Sequence, residues 1–266
     1  MPTLPIAHAV LIEGPDAIAF AHSQFSSQVT ALENRRWQFS SWLDAQGRVR
    51  NLFHLARLSD EQLLVILRGG RASDFIDALR RFVFRSRVRL SVVEGSLAGG
   101  PVMAMHEVEA GNDVIRLGCE THSLLLGANV HDAYQWQLQQ LHDGWPWLPD
   151  NAVNELLPPA LSLHRLGAVA VDKGCYPGQE IVARLHYRGG NKRHLHLVAL
   201  SKHMDEGTML KCEEREFVRL LNVAINAERI EALAVMSDEA VAQFTSDGKC
   251  ISDENVDVTL LNTWPA

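Results

Sequence analysis

The sequence predicts an α+β fold on three observations. Stretches of period-two and helical hydrophobicity follow one another without the strict strand–helix–strand alternation of a parallel sheet. Two amphipathic helices interrupt what read as antiparallel strands. Beyond Arg193 the texture changes to short strands separated by polar turns, which favours a small β-barrel or sandwich.

Gly14-Pro15-Asp16 reads as a helix start, and Ile18, Ala21, Phe25, Val29 and Leu32 recur at steps of three or four. Trp37, Phe39, Ser41 and Leu43 alternate, then Asp44-Ala45-Gln46-Gly47 turns the chain into a strand over 48–58. A short apolar strand follows at 63–67. Ala72, Phe75, Ile76, Leu79 and Val83 form the second helical stripe, and Val88, Leu90 and Val92 alternate again. The glycine-rich segment 94–101 reads as a loop, with strands at 114–117 and 123–126. Tyr134, Leu138, Leu141 and Trp145 sit at helical spacing before prolines 146, 149, 158 and 159 break the pattern. A short strand is expected at 167–171. Strands at 217–223, 232–236, 241–244 and 256–260 complete the C-terminal region, giving expected domains of 1–192 and 193–266.

Composition bounds the function. Of 266 residues, 47% are hydrophobic and 21% charged, as in a globular protein, and the net charge of -7 argues against a surface that seeks nucleic acid everywhere. The start, Met1-Pro2-Thr3-Leu4-Pro5-Ile6, lacks a cationic leader, and no run approaches the roughly 18 apolar residues that span a membrane. A cytoplasmic protein with no membrane partner is expected. The four cysteines include no Cys-x-x-Cys pair, so neither a self-contained metal site nor a disulfide framework is expected. Cys119, Cys212 and Cys250 read as ordinary thiols in or near the core.

Cys175 is different. It lies in Lys173-Gly174-Cys175-Tyr176-Pro177-Gly178-Gln179-Glu180, followed by Ile181-Val182-Ala183-Arg184-Leu185-His186-Tyr187-Arg188-Gly189. Tyr176-Pro177-Gly178 should bend tightly, and Gln179 onward should form a short helix with Ile181, Val182 and Leu185 inward. A thiol beside a helix's first turn, near Lys173 and Arg184, has the setting of a reactive thiolate; the alternative is a buried small hydrophobe. Gly174 and Gly178 permit close backbone approach but make no phosphate-loop pattern. Glu180 and Arg184 have the spacing of an ion pair on a helix face. His164 and His186 flank the motif, with nothing in the sequence to bring either to Cys175. Two basic clusters, Arg80, Arg81, Arg85, Arg87 and Arg89, then Arg184, Arg188, Lys192 and Arg193, either form solvated faces or grip a polyanion or polyglutamate tail.

The eight-residue motif, with Arg184, Tyr187-Arg188-Gly189 and Lys192-Arg193 downstream, resembles the signature of the YgfZ family. These are folate-binding proteins related to the aminomethyltransferase (T-protein) of the glycine cleavage system. Trp42-Leu43-Asp44-Ala45-Gln46-Gly47-Arg48-Val49 looks like that family's N-terminal strand-turn element. The resemblance implies an aminomethyltransferase-like folate-binding fold, built from α+β modules around a central opening, with a small C-terminal β-barrel. It implies tetrahydrofolate or a folate derivative as ligand, transient contact with iron–sulfur clusters, and a role in assembling or repairing them. Its implied partners are iron–sulfur enzymes, including those that methylthiolate tRNA. The family's essential cysteine carries over onto Cys175, with Lys173 beside it, and the surrounding positions onto Gly174, Gly178, Gln179, Glu180 and Arg184; Arg184 or Arg188 would meet the folate's glutamate tail. Two other classes stay open: a tetrahydrofolate-dependent aminomethyl- or methyltransferase, and a non-catalytic scaffold that binds tRNA directly.

Overall fold

The expected mixture of strands and helices becomes fifteen strands and five α-helices in a computed structural model that describes residues 6–128, 130, 135–212, 215–226, 229–244 and 248–265. Residues 1–5 and Tyr134, which entered the sequence reading, lie outside the described residues. The chain divides into two compact units. The first comprises Met1–Leu43, Arg50–Trp136 and Gly167–Pro177, and the second Asp44–Val49, Gln137–Leu166 and Gly178–Ala266.

In the first unit, β1 (Ala9–Glu13), β2 (Arg36–Leu43), β3 (Val49–Ser59), β4 (Gln62–Leu67) and β5 (Arg89–Val93) form a sheet of order β2-β3-β4-β1-β5. Strand β1 pairs antiparallel with both β4 and β5. Helix α2 (Ala72–Arg80) lays Ala72, Phe75, Ile76 and Leu79 onto a core that includes Val10, Ile12, Phe53, Leu55 and Val65. This stripe at helical spacing removes the helix's apolar face from water, at about 25 cal/mol for each Å² buried. The opposite sheet face carries Trp37, whose indole N–H donates to the Gly118 carbonyl at 2.8 Å.

Four strands, β6 (Ser96–Gly100), β7 (Val108–Ala110), β8 (Val114–Gly118) and β9 (Ser123–Gly127), make a second sheet of order β6-β9-β8-β7. The glycine-rich stretch expected as a loop is therefore strand β6. Its glycines serve packing: a Cβ on Gly100 would fall 2.6 Å from Ser123 Oγ and 2.7 Å from a Leu125 methyl.

The first helix is shorter than its apolar stripe. Helix α1 (Ala17–Gln24) ends where Phe25 turns extended, and only a single 3₁₀ turn, Val29–Ala31, follows. Tertiary hydrogen bonds outcompete the helix here. The Ser26 hydroxyl reaches the Ser41 and Ala168 carbonyls, and the Ser27 hydroxyl donates to that of Ser40. The strand expected at 167–171 is absent, and Ala168 and Ala170 are tied to Ser26 as irregular chain.

The second unit contains α3 (Trp136–His142, entering at Gln137), α4 (Gln179–Arg188) and α5 (Asp238–Val241). Its sheet runs through β10 (Arg193–Leu200), β11 (Met209–Cys212), β12 (Arg215–Asn226), β13 (Arg229–Ser237), β14 (Lys249–Ile251) and β15 (Asp257–Trp264), in the order β11-β12-β13-β10-β15-β14. The two edges approach each other, and the Asp253 N–H donates to the Lys211 carbonyl at 2.8 Å, so the barrel is nearly closed. Val198, Leu210, Val218, Leu220, Ala234, Met236 and Val258 fill its core. The strand expected at 241–244 does not form: α5, started by Ser237, whose hydroxyl accepts from the Ala240 N–H, runs through Val241, and residues 242–244 turn.

Among the described residues no helix is long and apolar enough to cross a membrane.

Candidate functional site

The motif is divided between the two units: the chain leaves the first at Pro177 and enters the second at Gly178. Each half has its own geometry.

In the first unit, Lys173 is 8% exposed and points inward. Its ammonium donates to the carbonyls of His22 and Phe25, each at 2.6 Å, and of Ser27 at 2.9 Å. These carbonyls lie where α1 ends and its backbone acceptors lose their helical partners. A cation there satisfies them and complements the negative end of the helix. Burial lowers the Lys173 pKa to about 8. The same ammonium stands 5.1 Å from the centre of the Tyr176 ring, whose hydroxyl donates to the Ala170 carbonyl at 2.9 Å. Tyr176 is buried, and desolvation pushes its phenol pKa upward.

Lys173 and Tyr176 therefore pin both ends of a short segment whose middle residues, Gly174 and Cys175, are exposed. Cys175 is a free thiol on the surface of its unit, so the alternative of a buried small hydrophobe does not apply. A side chain at Gly174 would begin 4.0 Å from His22 Nε2. His22 was missed by the sequence reading because its partners lie some 150 residues away and its local pattern is that of an ordinary helix. It is half-buried, its pKa is lowered by burial and then by the Lys173 charge, and its Nδ1 has no hydrogen-bond partner among the described residues. A largely neutral imidazole thus sits beside the Gly174 backbone.

In the second unit, Gly178 caps α4 with φ +78°. A Cβ there would lie 2.5 Å from the Asp44 carbonyl oxygen and 2.7 Å from Gly47 Cα; one on Gly47 (φ +76°) would meet Ile181 Cβ at 2.9 Å. Two glycines thereby let the Asp44–Gly47 turn and the start of α4 touch backbone to backbone, joining the two sequence segments that carried the resemblance. The Asp44 carboxylate holds the turn by accepting from the Gln46 and Arg48 N–H groups at 2.9 and 2.8 Å.

Helix α4 buries Val182 and half-buries Ile181 and Leu185, as its pattern predicts. Gln179 is half-buried, whereas Glu180, Arg184, Tyr187 and Arg188 are exposed. The Glu180–Arg184 ion pair does not form, and among the described residues Arg184 and Arg188 make no ion pair. His164 and His186 pack ring against ring at 5.1 Å, and the His164 pKa is lowered by burial and then by His186.

Against known proteins, no family model matches. An uncharacterized protein of Haemophilus influenzae is 28% identical over 190 residues, covering 68% of this chain and 67% of its own. A protein of Aliivibrio fischeri described as tRNA-modifying protein YgfZ is 27% identical over 212 residues, 70% of this chain and 66% of that one. The YgfZ protein of Vibrio atlanticus is 26% identical over 229 residues, 75% and 71% respectively. The chain is related to the YgfZ family.

The chain spans about two thirds of the length of these three relatives. The fold is that of the T-protein class. The crystal structure of glycine cleavage system aminomethyltransferase T from Bartonella henselae superposes with a TM-score of 0.68 at 12% identity, covering 97% of this chain and 83% of that one.

Proposed function

We propose that this chain is a folate-binding accessory protein that supports the assembly or repair of iron–sulfur clusters, and through them tRNA modification. The observation that carries the proposal is the exposed Cys175 on a segment pinned by Lys173 and Tyr176, in a chain related to tRNA-modifying YgfZ proteins and folded like a T-protein.

The residues fit a folate at its acidic end. Arg184 and Arg188 are one helical turn apart on α4, exposed and without ion pairs among the described residues, which suits the carboxylates of a glutamate tail. Gln179 and Glu180 would supply polar contacts along the same helix, Gly178 shapes its start, and Gly174 would serve the thiol segment of the first unit. Tetrahydrofolate, when bound, would supply one-carbon or reducing chemistry. Cys175 would act as the redox or transfer thiol, and Lys173 as a positioning group that fixes the loop presenting it. Transient cluster contact would need further ligands from a client, because no group of three metal-binding side chains exists among the described residues.

The test is complementation in a strain lacking the gene. Wild-type chain should restore the methylthiolation of tRNA by a cluster-dependent enzyme, and Cys175→Ala should not, while accumulating at normal level. Full restoration by Cys175→Ala contradicts the role given to the thiol.

A further inference from the structure

A second surface in the first unit is carried by the chain from the end of α2 to the start of β5. Between α2 and β5, Val83 and Val88 pack on the core and Leu90 is buried, while Arg81, Phe82, Phe84, Arg85, Arg87 and Arg89 face solvent. The inward valines and leucine hold the connection in place, so the outward aromatics are displayed by a supported segment. Phe84 is 77% exposed and Phe82 45%. Two large exposed aromatics only two residues apart make an apolar patch of the kind that meets a partner.

The charges around them are mixed, and arginine is in excess. Arg80 pairs with Asp77 and Arg87 with Asp16, and Arg89 stands opposite Glu13 across the β1–β5 pairing. Arg81 and Arg85 make no ion pair among the described residues. Arg85 adopts φ +123° and places its guanidinium 5.5 Å from the centre of the Phe84 ring. Arg50 lies over the Trp42 ring at 4.3 Å, and Phe82 meets that same indole edge-on at 5.8 Å. Beside them a cleft of about 530 Å³ is lined by Arg80, Val83, Val88, Arg89, Leu90 and Ser91. It opens along β5, an edge strand of its sheet.

From this arrangement we propose that the α2–β5 connection is a binding surface for single-stranded RNA. In a chain of net charge -7, Arg81 and Arg85, the two arginines of this segment left without a facing carboxylate among the described residues, give it a local attraction for a polyanion. The exposed phenylalanines decide which polyanion. Unstacked bases gain by lying on aromatic rings and guanidinium planes, whereas a polyglutamate tail has no ring to stack. Phosphates would meet Arg81 and Arg85, and a base would lie on Phe84. The inference is independent of the folate reading, which concerns residues 173–188.

The experiment is fluorescence anisotropy of the full chain with a labelled single-stranded RNA of about 12 nucleotides, a length within known single-strand footprints, titrated at several salt concentrations. Arg81→Ala/Arg85→Ala should weaken binding and flatten the slope of log affinity against log salt by about 1.4, the share of two phosphate contacts. Phe84→Ala should weaken binding about tenfold with the slope unchanged, and Phe84→Trp should restore it. Phe84 is solvent-exposed, so its variants test the surface without threatening the fold, and circular dichroism checks this. Three results overturn the proposal: no wild-type binding at low salt, equal binding by the arginine and phenylalanine variants, or binding to heparin or anionic vesicles that matches RNA and ignores Phe84→Ala.

Discussion

Lys173 and Arg184 carry the same charge within one motif, yet their surroundings give them opposite work. Lys173 is turned into the first unit, where three carbonyls surround its ammonium and burial lowers its pKa. Arg184 projects from α4 into solvent and makes no ion pair among the described residues. The contrast teaches that a cation near an exposed thiol in sequence need not be there to activate it. Here the buried one shapes the backbone, and the exposed one is left available for a ligand.

The largest expected effect follows from removing the buried cation. Lys173→Met should destabilise the chain by about 3 kcal/mol, because carbonyls at the end of α1 lose their donor in a site that water cannot freely enter. Chemical denaturation measures it; a loss below about 0.5 kcal/mol, the size of an ordinary surface change, would break the comparison. Gly178→Ala comes next, at about 2 kcal/mol, from a positive φ and a Cβ forced to within 2.5 Å of the Asp44 carbonyl. Gly174→Ala, whose nearest atom is 4.0 Å away, serves as the control and should stay within about 0.5 kcal/mol. Equal losses at the two glycines would show that the Asp44–Gly47 contact does not set the motif's shape.

A pH titration sharpens the same distinction between buried and exposed groups. Burial holds His54 well below its ordinary pKa, with Arg68 adding to it, and lowers His122 to about 4 for the same two reasons. Both are neutral in the folded state and take up protons near 6.5 once unfolded. Their contribution to stability is therefore complete above 6.5 and declines as pH falls from 6.5 toward 4. His122→Asn should flatten this acid limb, as read from denaturation midpoints; an unchanged limb would contradict the assignment. The smallest stability effect is expected at Arg184, where Ala should shift the denaturation midpoint within error.

What the sequence made legible depended on how local the causes were. Helix α4 and its inward Val182 follow from spacing alone, and α2 follows from its apolar stripe. The stripe from Ile18 to Leu32 misled, because Ser26, Ser27 and the distant Lys173 end α1 through contacts that no local window contains. Segment 96–100 misled for a related reason, since its glycines admit neighbouring side chains and do not turn the chain. At the site, the thiol and the exposed arginines were legible as types in a motif. The inward turn of Lys173 and the approach of His22 to Gly174 were not, because both depend on a helix some 150 residues upstream.

The most direct test of the account is calorimetric titration of tetrahydrofolate into anaerobically purified full chain, comparing wild type with Arg184→Ala. The account predicts a saturable heat for the wild type and affinity reduced at least about tenfold by the loss of one charged hydrogen-bonding partner, with the fold intact. Absence of binding by the wild type, or equal affinity in the variant, would contradict the claim that the exposed cations of α4 hold a folate.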